Sequence, residues 1–528
     1  MRVSQMLKSS GAMALATLTS RVLGMVRVMV YAPFMGNTPV ASAFILAFTI
    51  PNLFRRLLGE GALTAAFIPI FKKKEIHEGE QEMWRSANAV ISGLLVATSL
   101  TCLIVMAGIS VVLVRGTFKP ETMLMLRLLR VMFPYMILVC LAAALIGMAN
   151  ARGHFFVPAL GAAALNVVMI ASVVFLAPRM GLGFPKEERS SHQIFALAIG
   201  VLAAGVAQIF FQVPSLYRDG FRFRWTSPWH DPTVREVIKK MLPASIGVAA
   251  FQLNIVITQS CSFWFDSTIV STFDYSVRLM ELPQGMFGIS LATFLLPTLS
   301  GLAAEKKYTE FRQTLKQGLG YLAFVNLIAA SVSLVLAEPI VRLLFERGKF
   351  DATTTQRVSL ALMCLAPGLL MFSMTNILAR AFFALNDIKT PMKISIACLA
   401  LNLVFALWLV RGYREAGLAV ANSLSAVFNV WLLLHALRKK LSTLEFSDLW
   451  QVLAASLAAA VLAGEAAYLL RLLWETNIGH LTFTQKLGEV FVPMVCAGLI
   501  YWGVTLWLKV PGAQDILGLL RRRITPTE

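Results

Sequence analysis

Carboxylates are scarce in this chain. Asp and Glu together number 28 in 528 residues, against 47 Lys and Arg, and charged residues of both signs make up only 14%. A soluble protein of this length needs far more charged surface than that. Grouped metal ligands are also missing. The six cysteines (Cys102, Cys140, Cys261, Cys364, Cys398, Cys496) stand singly in apolar segments with no C-x-x-C spacing, and the six histidines form no H-E-x-x-H pair. Inert buried thiols are the simplest reading, and no metal or other cofactor is expected. No G-x-x-x-x-G-K-[ST] loop is present, which argues against ATP hydrolysis within this chain and against an enzyme of that kind. A cleavable signal peptide is not expected either. The first apolar run carries arginines and continues well past the length of a signal core.

What the chain has instead is hydrocarbon. It is 57% apolar, and its mean hydropathy is +0.71. Apolar runs of about 20 residues, each long enough to cross a bilayer as a helix, recur from end to end. Fourteen spans are predicted, at roughly 9–35, 39–71, 86–113, 121–150, 156–177, 193–216, 241–264, 269–300, 317–336, 355–385, 394–410, 415–437, 448–470 and 487–508. The fold class is an all-α polytopic membrane protein.

The net charge of +19 would suggest nucleic acid in a soluble protein. Here the basic residues sit in short segments between spans, and no nucleic-acid motif accompanies them. With the N-terminus placed in the cytoplasm, the cytoplasmic segments hold 26 Lys and Arg and the opposite ones 12. This asymmetry predicts that both termini are cytoplasmic. The basic stretch from Tyr217 to Lys240 then reads as a topological signal in contact with phospholipid headgroups. Arg521 to Arg523 read as an anchor on anionic lipid. LAEPIVRLLFERGKF (Leu336 to Phe350) reads as an amphipathic helix on the outer membrane surface.

The sequence repeats itself. Pro134 and Pro367 are 233 positions apart, as are Pro158 and Pro391, while Asn166 and Asn402 differ by 236 and Pro69 and Pro297 by 228. The contexts agree, as in ANARGHFFVPAL against FALNDIKTPMKI. Two six-helix halves follow, with two helices appended: residues 1–225, 226–440 and 441–528. An even number of spans per half makes the repeats parallel, an arrangement common in alternating-access transporters. A central cavity between the halves is expected.

Several arginines lie where hydrocarbon should be. A charge at a helix centre costs about 2.5–3.5 kcal/mol on insertion scales, so a group of them needs a reason. Arg127, Arg130, Arg357 and Arg380 are near span ends, where snorkelling to the interface explains them. Arg27, Arg55, Arg56 and Arg278 lie deeper or beside helix breakers, and Arg21 is intermediate. Arg55 and Arg56 point about 100° apart on a helix, so only one is expected to face a cavity. PNLFRR, with Pro51, and RLMELPQGMFG, with Pro283, read as bent or partly broken helices facing water. Proline and glycine are tolerated in a span where neighbours or water satisfy the freed backbone. A wet cavity that handles an anion is the common explanation.

Those same residues carry a resemblance. SRVLGMVR, the APFMG turn, IPNLFRRLLGEGALTAAFIPIF, RLMELPQGMFGISLATFLLPTLS, LFERGKF and ALNDIKTPMKI resemble the MurJ (MviN) family of lipid II flippases, in the multidrug/oligosaccharidyl-lipid/polysaccharide exporter superfamily. The resemblance runs in order through spans 1–12; the last two helices match in number and position. It implies transfer of undecaprenyl-diphosphate-linked disaccharide-pentapeptide (lipid II) from the inner to the outer leaflet of the bacterial cytoplasmic membrane, by a V-shaped pair of lobes around a cationic cavity. It implies substrate-binding roles for Arg21, Arg27, Arg55 and Arg278, and a gating or orienting role for Glu60. Ser20, Arg56, Pro51 and Pro283 would support them. The chemistry agrees, because guanidinium forks pair bidentately with diphosphate oxygens.

The chain also departs from that family. Val28, Ser42 and Val277 stand where several relatives carry aspartates, which predicts a more purely cationic cavity. A sodium site in one branch uses acids of spans 7 and 11; here span 7 offers only Asn254, and Asp387 reads equally as a solvated loop acid. Two other readings remain. One is export of another polyprenyl-diphosphate oligosaccharide or an amphiphilic drug, although drug exporters favour acidic cavities. The other is a membrane-bound transferase, which would need clustered carboxylates for a metal, whereas Glu60, Asp274, Glu281 and Glu465 stand nearly alone. A monomer is the default expectation.

Overall fold

The computed structural model describes residues 3–57, 62–154, 156–441 and 447–524. Among these the chain is helical, with no strand. It divides into two compact units, Met1–Ser271 and Thr272–Glu528.

Unit 1 contains α1 (Val3–Met35), α2 (Pro39–Phe54), α3 (Ala62–His77), α4 (Glu80–Arg115), α5 (Pro120–Met132), α6 (Tyr135–Ala151), α7 (Phe156–Ala171), α8 (Ala177–Met180), α9 (Lys186–Arg218) and α10 (Pro232–Phe265). Local chemistry sets several of the starts. Thr38 caps α2 by accepting from Ala41 N, and Asp231 caps α10 by accepting from Thr233 N and Val234 N. Pro39, Pro120 and Pro232 each occupy a first turn, where the missing N–H costs nothing. The unit closes around fully buried Met132, Phe133 and Tyr135, with Phe44 and Phe48 of α2 packed on them.

Unit 2 takes up most of α11 (Ile269–Pro283), then α12 (Ser290–Ala304), α13 (Tyr308–Val335), α14 (Ala337–Phe345), α15 (Ala352–Leu365), α16 (Gly368–Ala384), α17 (Lys389–Leu441), α18 (Ser447–Asn477), α19 (Phe483–Trp507) and α20 (Pro511–Ile524). Its core joins Phe311, Leu319, Phe382 and Leu433. The two C-terminal long helices attach to α13 through small residues. Ala459, Ala463, Ala467 and Ala497 are buried there, and Ser331 Oγ donates to the Ala460 carbonyl at 2.7 Å. Small side chains let membrane helices approach closely, where van der Waals contact replaces the hydrophobic effect.

Eight helices are long and apolar enough to cross a membrane, or up to ten if each of two bent pairs is one span. The expected spans do not map onto single helices. α17 is 53 residues, about 80 Å, and so more than twice the hydrocarbon thickness. It breaks at Arg414 (φ 50, ψ −129), which separates predicted spans 11 and 12. Gly417 makes that fold-back possible, since a Cβ there would lie 2.4 Å from the Leu409 carbonyl oxygen.

The repeat reappears as geometry inside each unit. α5 and α6 bend by 44° around Pro134, and α15 and α16 bend by 46° around Pro367. The next turn holds a left-handed residue in both, Gly153 (φ 91) and Asn386 (φ 57), again 233 apart.

α14 corrects one expectation. It is not an interfacial helix resting on lipid. Ala337, Val341 and Phe345 are fully buried against protein, and even Arg342 is only 8% exposed. Phe345 and Phe350 pack on Tyr275 of α11.

Candidate functional site

The arginines named from sequence are carried by both units. In α1, Ser20, Gly24 and Val28 form one stripe at a spacing of four. The Ser20 carbonyl accepts from Asn166 Nδ2 of α7 at 3.1 Å, a Cβ on Gly24 would touch the same amide, and Val28 is 5% exposed. This seam fixes the rotation of α1 against α7. Arg21 and Arg27 lie off the seam and stay half-buried, and the Arg27 guanidinium sits 5.7 Å from the centre of the Tyr31 ring. Val28 therefore faces packed protein.

Arg55 and Arg56 follow buried Pro51 and open a π-helical turn over residues 55–57. Single π-turns interrupt helices most often where function requires it. Arg55 Nε donates to Asn52 Oδ1 at 2.8 Å, and both arginines are half-buried. The preceding residue is pinned to the bent pair: Phe54 meets Phe133 edge-on, and its carbonyl accepts from Cys140 Sγ. α2 and α1 rest on different neighbours, α5, α9 and α10 for α2 and α7 for α1. Glu60 lies outside the described residues. Ser42 is fully buried, where it exchanges hydrogen bonds of 3.0 Å with Ser271 Oγ and N. Like Val28, it faces the protein interior.

In unit 2, Arg278 is paired with acids of its own helix. It bridges Asp274 at 3.6 Å and Glu281 at 3.0 Å on its own helix. The signal was present in sequence, because residues three and four apart on a helix are neighbours. Pro283 ends this helix, and a π-helical stretch, Gln284–Ile289, follows; another lies between α7 and α8, at Ser172–Leu176. Gly288 of the former lies against α16, where a Cβ would meet Ser373 Oγ at 2.6 Å and Ser373 Cβ at 2.9 Å. Both segments predicted to be broken thus carry a π-turn beside a proline and an arginine.

Two other charged groups differ from their sequence reading. Arg357 does not merely snorkel. It grips Glu415 with two bonds, Nε to Oε1 at 2.6 Å and Nη2 to Oε2 at 2.8 Å, and the Glu415 side chain is 5% exposed. Asp387 accepts from Thr390 N and Thr390 Oγ1 and pairs with Lys440 at 2.7 Å. The Lys440 ammonium and the Thr390 amide hold its carboxyl below the usual range, at about 2. It is a structural acid at the entry to α17.

A family model described as "Lipid II flippase MurJ" matches residues 31–487, which include Arg55, Arg56 and Arg278. The chain belongs to the lipid II flippase MurJ family. A protein of Vibrio cholerae serotype O1 described as a "Probable lipid II flippase MurJ" is 32% identical over 521 residues, 96% of this chain and 95% of its own length. The "Lipid II flippase MurJ" of Burkholderia cenocepacia is 32% identical over 433 residues, 80% of this chain and 82% of its own. Among solved structures, "Lipid II flippase MurJ, inward closed conformation" aligns with a TM-score of 0.76 at 21% identity, covering 96% of this chain and 99% of that one. An inward-facing multidrug resistance MATE transporter of the MOP superfamily aligns with a TM-score of 0.64 at 13% identity, covering 82% and 99%. The fold is therefore shared with exporters as well as with the family, and this chain is an integral membrane protein of that architecture.

Proposed function

We propose that this chain is a lipid II flippase of the bacterial inner membrane, moving undecaprenyl-diphosphate-linked disaccharide-pentapeptide to the outer leaflet by alternating access. Membership of the family across residues 31–487 carries the reading. Arg21, Arg27, Arg55 and Arg278 receive the diphosphate, with Ser20, Arg56, Glu60, Pro51 and Pro283 shaping or gating the segments that bear them. Guanidinium forks suit that group, and pairing with the cargo lowers the cost of carrying arginines through hydrocarbon. The π-turns beside Arg55 and after Arg278 support the reading, since segments with two available hydrogen-bonding registers can change shape locally.

The proposal includes fourteen crossings, lobes at 1–225 and 226–440, two added helices and a basic tail at 441–528, cytoplasmic termini and a monomer surrounded by phospholipid. Side-chain pairs favour the alternation of ends. Arg152 reaches Glu75 and Glu80, and Lys440 reaches Asp387, joining segments assigned to the cytoplasm. Arg342 reaches Glu489, joining segments assigned to the far side. Export of two negative charges is favoured by about 4.6 kcal/mol per 100 mV of inside-negative potential. No ATP-binding motif is needed for that.

The test is complementation. Depletion of the resident flippase in a bacterium expressing this chain should leave lipid II reaching the outer leaflet, and Arg27→Ala or Arg278→Ala should abolish the rescue at normal membrane levels. Good insertion without rescue, or full rescue by both variants, would sink the proposal.

A further inference from the structure

The end of unit 2 that holds α14 gathers more charge than packing requires. Arg342 of α14 binds Glu489 of α19 at 2.6 Å and Glu338 at 2.7 Å, and lies 3.5 Å from Glu475 of α18. Arg471 binds Glu338 at 2.6 Å and Glu475 at 3.1 Å. Lys486 approaches Glu346 at 3.4 Å. Glu338, Glu346, Glu475 and Glu489 thus share Arg342, Arg471 and Lys486. The Glu489 side chain is fully buried, which makes an uncompensated charge costly.

The open valences converge. Arg342 takes Oε1 of Glu489, and both arginines reach Glu475 through its Oε1. Oε2 of Glu489 and Nδ1 of His480 are buried and make no hydrogen bond. Glu475, His480 and Glu489 each place one ligand-competent atom within 4.8 Å of the other two. They come from the end of α18, the turn after it and the start of α19, so one ion would close the hairpin on itself.

We propose that Glu475, His480 and Glu489 bind a divalent transition-metal ion, with zinc the best match. One imidazole and two carboxylates suit zinc, which accepts N and O ligands and leaves a fourth position for water. Magnesium prefers an oxygen shell with several waters. The two arginines act as outer partners: by holding Oε1 of each carboxylate they aim the other oxygen inward, as hydrogen-bonded second-shell groups do at metal sites. The ion would staple the α18–α19 turn next to α14. This site is separate from the arginines assigned to cargo and does not depend on that assignment.

The full-length protein, purified in detergent and stripped with a chelator, is dialysed against zinc chloride or magnesium chloride. Bound metal is counted by plasma mass spectrometry, and melting is followed in parallel. The wild type should retain about one zinc per chain and melt higher with zinc than with magnesium. His480→Gln, in a partly exposed turn, should fold but bind zinc more weakly by at least about 100-fold, because loss of even an outer partner costs 10–100-fold. Glu489→Gln should do the same. A wild type with no zinc above background, or a His480→Gln chain with unchanged zinc, overturns the site. A wild type stabilised by acid but not by zinc also overturns it and assigns the cluster to a shared proton.

Discussion

Asp274→Asn should tighten binding of the polyprenyl diphosphate and slow its release. Arg278 is held by Asp274 at 3.6 Å and by Glu281 at 3.0 Å, so an incoming anion competes with two carboxylates for the guanidinium charge. Two unit charges 3.6 Å apart attract by about 4.6 kcal/mol at an effective dielectric of about 20. Arg278 is 38% exposed and Asp274 23%, so solvent returns most of that, leaving a net of about 1 kcal/mol. Removing the competitor then strengthens anion binding about fivefold. Turnover should fall all the same, because tighter ground-state binding without a matching gain in the moving state slows the cycle. Titration of undecaprenyl diphosphate into purified protein measures the first effect, and outer-leaflet lipid II in cells measures the second. In an Arg278→Ala background the substitution should do nothing. Unchanged or weaker binding by Asp274→Asn would refute the idea that the acids hold Arg278 in reserve.

Three further outcomes follow from single contacts. Glu415→Ala should lower stability by about 2–3 kcal/mol, seen as earlier melting in detergent, because the bidentate Arg357 pair beside the Arg414 break is lost with one partner largely buried. Gly288→Ala should reduce transport at normal expression, since the new Cβ would press on Ser373 2.6 Å away and cost about 1–3 kcal/mol by forcing the π-turn off α16. Asp387 is pH-sensitive in a narrow window. Its folded pKa of about 2 lies below the reference 3.8, so its stabilisation is complete above about 3.8 and is lost as pH falls toward 2. Its exposure discounts the size to about 1 kcal/mol, and the melting gap between wild type and Asp387→Asn should close over that range.

The legibility of this chain in its sequence follows from the physics of its solvent. Apolar runs and mid-span prolines are properties of a residue and its near neighbours, so the all-helical membrane class could be read directly, and Pro134 and Pro367 were legible as matching marks of the repeat. Arg278 with Asp274 and Glu281 was also readable, because helix spacing brings i, i+3 and i+4 together. Arg357 with Glu415 and Arg342 with Glu489 were not. Their partners are 58 and 147 positions away, and no local pattern ranks one acid above another at such distances. Snorkelling and a lipid-facing helix were the readings that local rules allow, and tertiary pairing displaced both. Sequence records a residue's identity and not its facing, so the burial of Val28 and Ser42 was not readable. One lies on the α1–α7 seam, and the other is buried against Ser271.

The two halves also show what a repeat conserves. His154 and Asp387 occupy equivalent positions, 233 apart, each directly after the left-handed residue that follows a bent helix pair. Each reaches the end of a long helix: His154 Nε2 lies 2.9 Å from Asp219, the C-cap of α9, and Asp387 lies 2.7 Å from Lys440 in the last turn of α17. The tie is kept while its polarity is exchanged, with the acid on the helix end in one half and on the turn in the other. Arg152 adds a cation to the first tie, 3.7 Å from Asp219. An unpaired charge at either place would cost more than a swapped pair, so substitution through the pair preserves the clasp better than substitution at one end. The clasp, and not the residue type, is therefore the unit that the duplicated fold retains. It ties the turn after each bent helix pair to the end of a later helix, α9 in one half of the sequence and α17 in the other.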